Sequence, residues 1–177
     1  DTTITANFAR QYHVGLTANP SSGGSVIGEG NYKSNTEVIV NATPAKGYVF
    51  DSWISGGDTL STDTTYSFIV TKDTSINANF TAQYDINLSA NPSNGGTISG
   101  GGTYEDGSDV TLQASSAKGY VFDAWTSGGD TLSVDSSYTF TVTQDTSITA
   151  NFIREYDLSL ITNPSGGGNV SGDGKYL

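Results

Sequence analysis

Apolar residues alternate along much of this chain. Tyr12, Val14, Leu16 and Ala18 fall on every second position, and Asn19-Pro20-Ser21-Ser22-Gly23-Gly24 then breaks the pattern. Alternation stopped by Pro and Gly predicts a β-strand with one buried face. Ser25–Ile27 reads as a short return strand, which makes the pair a hairpin. Alternation resumes with Val38, Val40 and Ala42, then Tyr66, Phe68 and Val70, then Ile76, Ala78 and Phe80. Tyr48–Ile54 is an aromatic strand with an irregularity. Trp53 lies three residues from Phe50, so a flat strand would send the two to opposite faces, and a bulge is expected near Asp51 and Ser52. Ser55-Gly56-Gly57-Asp58 reads as a loop carrying Leu60. No window shows helical periodicity. The expected unit is all-β, about six short strands forming a small sandwich or rolled sheet.

The pattern repeats. Ala45–Phe80 returns as Ala117–Phe152, 72 residues later and without insertion or deletion. Residues 9–80 and 81–152 agree at 41 of 72 positions. The expected organisation is a last strand of a preceding repeat in residues 1–8, full repeats at 9–80 and 81–152, and the opening of another repeat at 153–177. Only Ala9-Arg10-Gln11, Thr81-Ala82-Gln83 and Ile153-Arg154-Glu155 separate one copy from the next. Such links hold no Gly or Pro and are too short for a flexible tether. The array is therefore expected to be a rod. Phe80 and Tyr84, with Phe152 and Tyr156, mark its junctions.

Three motifs recur: the NPSxGG turn (Asn19–Gly24, Asn91–Gly96), GYxFxxW (Gly47–Trp53, Gly119–Trp125) and DTSIxANF (Asp73–Phe80, Asp145–Phe152). With these the chain resembles the divergent InlB B-repeat family over essentially its whole length. That resemblance implies stalks, spacers or adhesive segments of surface and secreted proteins, and no catalytic residues to carry over. The parent repeat is similar to a β-grasp fold with a helix on its sheet. Nothing in this chain reads as that helix.

Composition narrows the partners. The chain has 7 Lys+Arg against 18 Asp+Glu, for a net charge of -11. No basic stripe is available for nucleic acid or for an anionic membrane surface. There is no Cys, hence no disulfide or thiolate metal site. No apolar run reaches the length of a membrane span. Leu, Ile, Val and Phe number only 37 of 177, so a thin core built largely from aromatics is expected. Its members are Tyr48, Phe50, Trp53 and Phe68, with Tyr120, Phe122, Trp125 and Phe140 in the second copy.

Few residues suggest chemistry. His13 is the single histidine, and its counterparts are Asp85 and Asp157, so no triad can be assembled in each copy. Asp58, Asp63, Asp130 and Asp135 recur in Gly-rich loops and are the candidate Ca²⁺ ligands. Their spacing matches no DxDxDG loop, and Asx-turns account for Asp in such places. Tyr12, Tyr32, Tyr48, Tyr66 and Trp53 offer a sugar-stacking platform as the alternative to a core. The sequons at Asn41, Asn79, Asn87 and Asn169 are not kept between copies. The expectation is a non-enzymatic, cofactor-free extracellular or cell-surface repeat acting as stalk, spacer or filament segment. Its partners would be copies of itself or neighbouring repeats. The alternative is an adhesive or glycan-binding module that recognises surface glycans or proteins.

Overall fold

The computed structural model describes residues 1–177. It contains strands and no helix. Two compact units divide the chain, Asp1–Gln83 and Tyr84–Leu177. In the first the strands are β1 (Gln11–Asn19), β2 (Gly24–Ile27), β3 (Gly30–Lys33), β4 (Glu37–Pro44), β5 (Tyr48–Ser55), β6 (Asp58–Ser61), β7 (Thr65–Ile69) and the opening part of β8 (Thr74–Asn91). A mixed sheet runs β6-β5-β8-β1-β3, and an antiparallel sheet runs β2-β4-β7. The second unit repeats this plan. It uses the closing part of β8, then β9 (Gly96–Ser99), β10 (Gly102–Glu105), β11 (Asp109–Ser116), β12 (Tyr120–Ser127), β13 (Asp130–Ser133), β14 (Ser137–Thr141) and β15 (Thr146–Arg154). Its sheets are β13-β12-β15-β8-β10 and β9-β11-β14.

Each unit is a two-layer sandwich in which the inward set of each strand meets the other sheet. In the first unit Val14, Val38, Val40, Trp53, Val70, Ile76, Ala78 and Phe80 form the buried centre. Trp53 and Trp125 are fully buried. Tyr48, Phe50 and Phe68 are half-buried and pack on that centre, as Tyr120, Phe122 and Phe140 do in the second unit. Aromatics thus supply the area that scarce aliphatics do not. The bulge in β5 is present, with the register shifting between Phe50 and Ser52 so that Asp51 has no partner. The same shift leaves Asp123 unpaired in β12. It turns Trp53 inward and brings its ring 5.5 Å from that of Phe50.

Two expectations are corrected. The unit has eight strands, not six. Gly30–Lys33 pairs with β1, and the supposed loop at Asp58–Ser61 folds back on β5. Both are four-residue edge strands too short to show alternation. Next, β1 and β2 are not a hairpin. β2 crosses to the other sheet and pairs with β4, while β1 pairs with β3 and β8. Alternation reveals which face a strand buries, not which strand lies beside it. Residues 1–10 form no strand, and Ile4 and Phe8 are 90% and 94% exposed. Their counterparts in β8 are held by β1 and β5 of the same repeat.

The turn geometry holds. Gly107 has φ +79°, and Asn35, at the same place in the first copy, has φ +63°. The closing segment contributes a single hairpin, β16 (Tyr156–Leu158) with β17 (Gly174–Tyr176). Beside it Lys175 is paired with Glu155, whose hydrogen bond and charge raise the lysine pKa. The ammonium is fully exposed, and such a pair adds little stability.

Candidate functional site

The first and last strands of each repeat lie side by side and run parallel. In the first unit Val14 to Asn19 of β1 face Thr74 to Asn79 of β8 over six residues. In the second, Ile86 to Asn91 of β8 face Thr146 to Asn151 of β15. The inner side of this pairing is apolar, with Leu16 beside Ile76 and Ala18 beside Ala78. The outer side is a ladder of polar bonds. Thr17 Oγ1 donates to Asn77 Oδ1 at 2.6 Å, and Asn19 Nδ2 donates to Asn79 Oδ1 at 3.2 Å. The His13 amide donates to the Asp73 carboxylate at 2.8 Å. The second unit keeps the arrangement with Ser89 and Thr149, Asn91 and Asn151, and the Asp85 amide on Asp145.

This pairing explains two of the recurring motifs. Asn19 of NPSxGG and Asn79 of DTSIxANF are rungs of one ladder, although 60 residues separate them. Phe80 closes the motif by packing over Gly23 and Gly24. A Cβ on Gly23 would stand 2.6 Å from the Phe80 Cβ, and one on Gly24 only 2.5 Å from the Thr43 carbonyl oxygen. These two glycines serve close approach, and Gly95 and Gly96 serve it for Phe152. Phe80 and Phe152 therefore lie in the cores of their own units. Tyr84 packs on the second core, and Tyr156 is 56% exposed. The link residues 81–83 lie inside β8, where Ala82 faces Tyr48 and the Gln83 amide donates to the Gly47 carbonyl at 2.7 Å.

A second feature recurs. β6 edges the larger sheet and β7 edges the smaller, and between them each sandwich is open along one side. The groove there has a volume of about 290 Å³ in the first unit, with Leu60, Tyr66, Phe68 and Ile76 as its floor and Ser55, Asp58 and Lys72 at its rim. In the second it is about 300 Å³, with Leu132, Tyr138, Phe140, Ile148, Ser127, Asp130 and Gln144 in the matching places. Tyr66 and Phe68 stack at 5.6 Å and 14°, and Tyr138 and Phe140 at 5.5 Å and 14°.

The remaining candidates are scattered. Asp58 opens β6, whereas Asp63 sits in the turn after it, its amide bonded to Ser61 Oγ at 3.0 Å. Asp130 and Asp135 repeat this. No three His, Asp or Glu side chains converge on a common point anywhere in the chain. His13 is exposed, its Nδ1 3.2 Å from Asn31 Oδ1. The aromatic platform is divided among separate tasks. Trp53 is core, and its indole N–H donates to the Thr64 carbonyl at 3.3 Å. The buried indole N–H of Trp125 has no partner. Tyr32 donates to the Gly28 carbonyl at 2.8 Å, and Tyr104 and Tyr176 donate likewise to Gly100 and Gly172. Tyr12 lies under the Arg10 guanidinium at 5.3 Å. Of the sequon asparagines, Asn41 and Asn79 have their amide oxygens engaged by Thr65 and Asn19.

Sequence reasoning named neither the paired end strands nor the groove. The signal for the first was present in the matched polar residues of β1 and β8. For the second, it was the SGGDTLS stretch, identical at Ser55–Ser61 and Ser127–Ser133. No helix is long and apolar enough to cross a membrane. A family model described as the divergent InlB B-repeat domain matches residues 14–84 and 86–155, about four fifths of the chain. No curated protein matches it.

Proposed function

From a chain that belongs to the divergent InlB B-repeat family, a repeat of bacterial surface proteins, we propose a load-bearing spacer without catalytic activity. The repeat holds another part of its protein away from an extracellular surface, as a stalk or as a segment of a filament, and resists tension. One observation carries this reading: the first and last strands of each repeat are parallel neighbours. The chain enters at the start of one strand and leaves at the end of the other. Tension then pulls the two strands in opposite directions along their own axes. Every rung of the ladder is loaded in shear together, and none can be peeled first.

The links support the same reading. Residues 81–83 are hydrogen-bonded strand, so the first repeat passes into the second without slack sequence. A tandem array linked in this way spans distance with few residues to spare. Its natural partners are neighbouring repeats and further copies of itself. Stretching the chain between its ends in a single-molecule instrument tests the proposal. Resistance no greater than that of the same unit peeled apart from one end of the paired strands overturns it. An adhesive role is favoured by one separate observation, the groove that recurs in both units.

A further inference from the structure

We infer that the groove between β6 and β7 is a binding subsite for one neutral hexopyranose ring, present once in every repeat. The inference does not depend on the load-bearing reading. It starts from what the two copies keep. Their grooves match at eight of ten lining positions, differing only where Ile69 and Lys72 are replaced by Thr141 and Gln144. The outer face of the smaller sheet has drifted in the same interval. Exposed Ile27 and Ile39 there become Ser99 and Thr111. A requirement of the fold explains the retained floor, but not the retained rim carboxylate, since the Asp58 and Asp130 side chains are exposed and form no hydrogen bond or ion pair within the chain.

The groove's tyrosine hydroxyls are also unengaged within the chain. Tyr32, Tyr48, Tyr104 and Tyr120 each place the phenol hydroxyl within hydrogen-bond reach of a group in the chain, at 2.8 to 3.3 Å. Tyr66 and Tyr138, half-buried in the groove, make no such bond. Ser55 donates its proton to the Ser75 carbonyl at 2.7 Å and so presents an acceptor outward. The site therefore offers a carboxylate and hydroxyls beside a wall of stacked rings. A pyranose has the complementary form, with C–H groups on one face for an aromatic ring and hydroxyls around its edge for the carboxylate. The volume lies at the lower end of small-molecule sites, about 300 Å³, which holds one ring and not a chain of them. Charge selects among sugars. A rim Asp in both units, accompanied by Lys72 in the first only, and a net charge of -11 disfavour uronic acids and sulfated or phosphorylated sugars. A single shallow site binds weakly, and repetition along an array raises the avidity.

The test titrates the intact chain with cellotetraose, with galactose and mannose tetramers, and with tetragalacturonate as the anionic control, following backbone amides by NMR. The expected result is saturable shifts with at least one neutral tetramer, confined to residues 55–60 and 66–74 and to 127–132 and 138–146. Tetragalacturonate should give none. The doubly substituted Asp58→Ala/Asp130→Ala chain should bind about tenfold more weakly with an unchanged unfolding temperature. Tyr66→Phe/Tyr138→Phe, which keeps both rings, should weaken binding several-fold. No saturable shift with any neutral tetramer, shifts lying elsewhere, equal binding of the anionic tetramer, or full affinity in the aspartate variant each overturns the assignment.

Discussion

Pulling the chain by its two ends should give two separate unfolding steps of nearly equal length. In the first unit the clamp joins residues 14–19 to 74–79, so its rupture frees the segment from the start of β1 to the end of the link, residues 11–83. About 73 residues at roughly 3.6 Å each extend to about 260 Å, and a folded span of about twelve strand steps in this register, about 40 Å, must be subtracted. Each step should therefore add about 220 Å of contour length. The second unit has the same register between β8 and β15 and should give the same step. Forced rupture is governed by the unfolding rate, so the direction of loading matters more than equilibrium stability. The chain has no Cys, so handles can be placed uniquely. Attachment through Ser21→Cys and Thr81→Cys applies force at neighbouring ends of β1 and β8 and separates the rungs one after another. Unit 1 should then open at clearly lower force than in end-to-end pulling. Equal forces in the two geometries would refute the shear argument. So would a first step far shorter than about 220 Å, because the unit would then have opened without breaking the clamp as a whole.

Three other outcomes follow from packing and backbone geometry. Gly23→Ala sets a methyl 2.6 Å from the Phe80 Cβ and 3.0 Å from its ring, and overpacking of this kind costs about 1–3 kcal/mol. For a unit of this size that lowers the unfolding temperature by roughly 4–8 °C per kcal/mol, measurable by circular dichroism, and an unchanged midpoint would contradict the close approach. Trp53 and Trp125 are at 0% exposure, so acrylamide should barely quench native fluorescence, and Trp53→Ala should destabilise its unit by about 3–5 kcal/mol in denaturant titration. Gly107→Ala forces an L side chain to φ +79° and should cost about 1–2 kcal/mol, whereas Thr103→Ala on a neighbouring strand should cost less.

The inward faces of the strands were legible because burial imposes period 2 on each segment. Val38, Val40 and Ala42 needed only that rule. The displaced Trp53 was enough to place the bulge at Asp51, since a core tryptophan cannot face water. Pairing was not legible in the same way. β2 alternates as a return strand would, yet its partner is β4, because the choice between two sheets depends on what Val26 and the Phe80 ring fill. The two edge strands escaped for a different reason. Four residues such as Asp58-Thr59-Leu60-Ser61 carry one inward side chain, and one side chain has no period. The groove then escaped with them, because its existence depends on β6 and β7 both being edges.

The polar residues of the end strands hold a more general lesson about reading repeats. Between the copies, Thr17 with Asn77 becomes Ser89 with Thr149, so both members change and the bond survives at 2.6 and 2.9 Å. His13 becomes Asp85, yet the amide at that position still donates to the aspartate 60 residues on. Neither fact looks like a site when each residue is weighed alone, because exposed Thr, Ser and Asn on a strand are ordinary. They become informative when the repeat is read as a closed unit whose first strand must find its last. The motif residues Asn19 and Asn79 bracket that closure, and Phe80 locks it over Gly23 and Gly24. Under the load-bearing role proposed above, that joint is where a tandem array under tension carries its load.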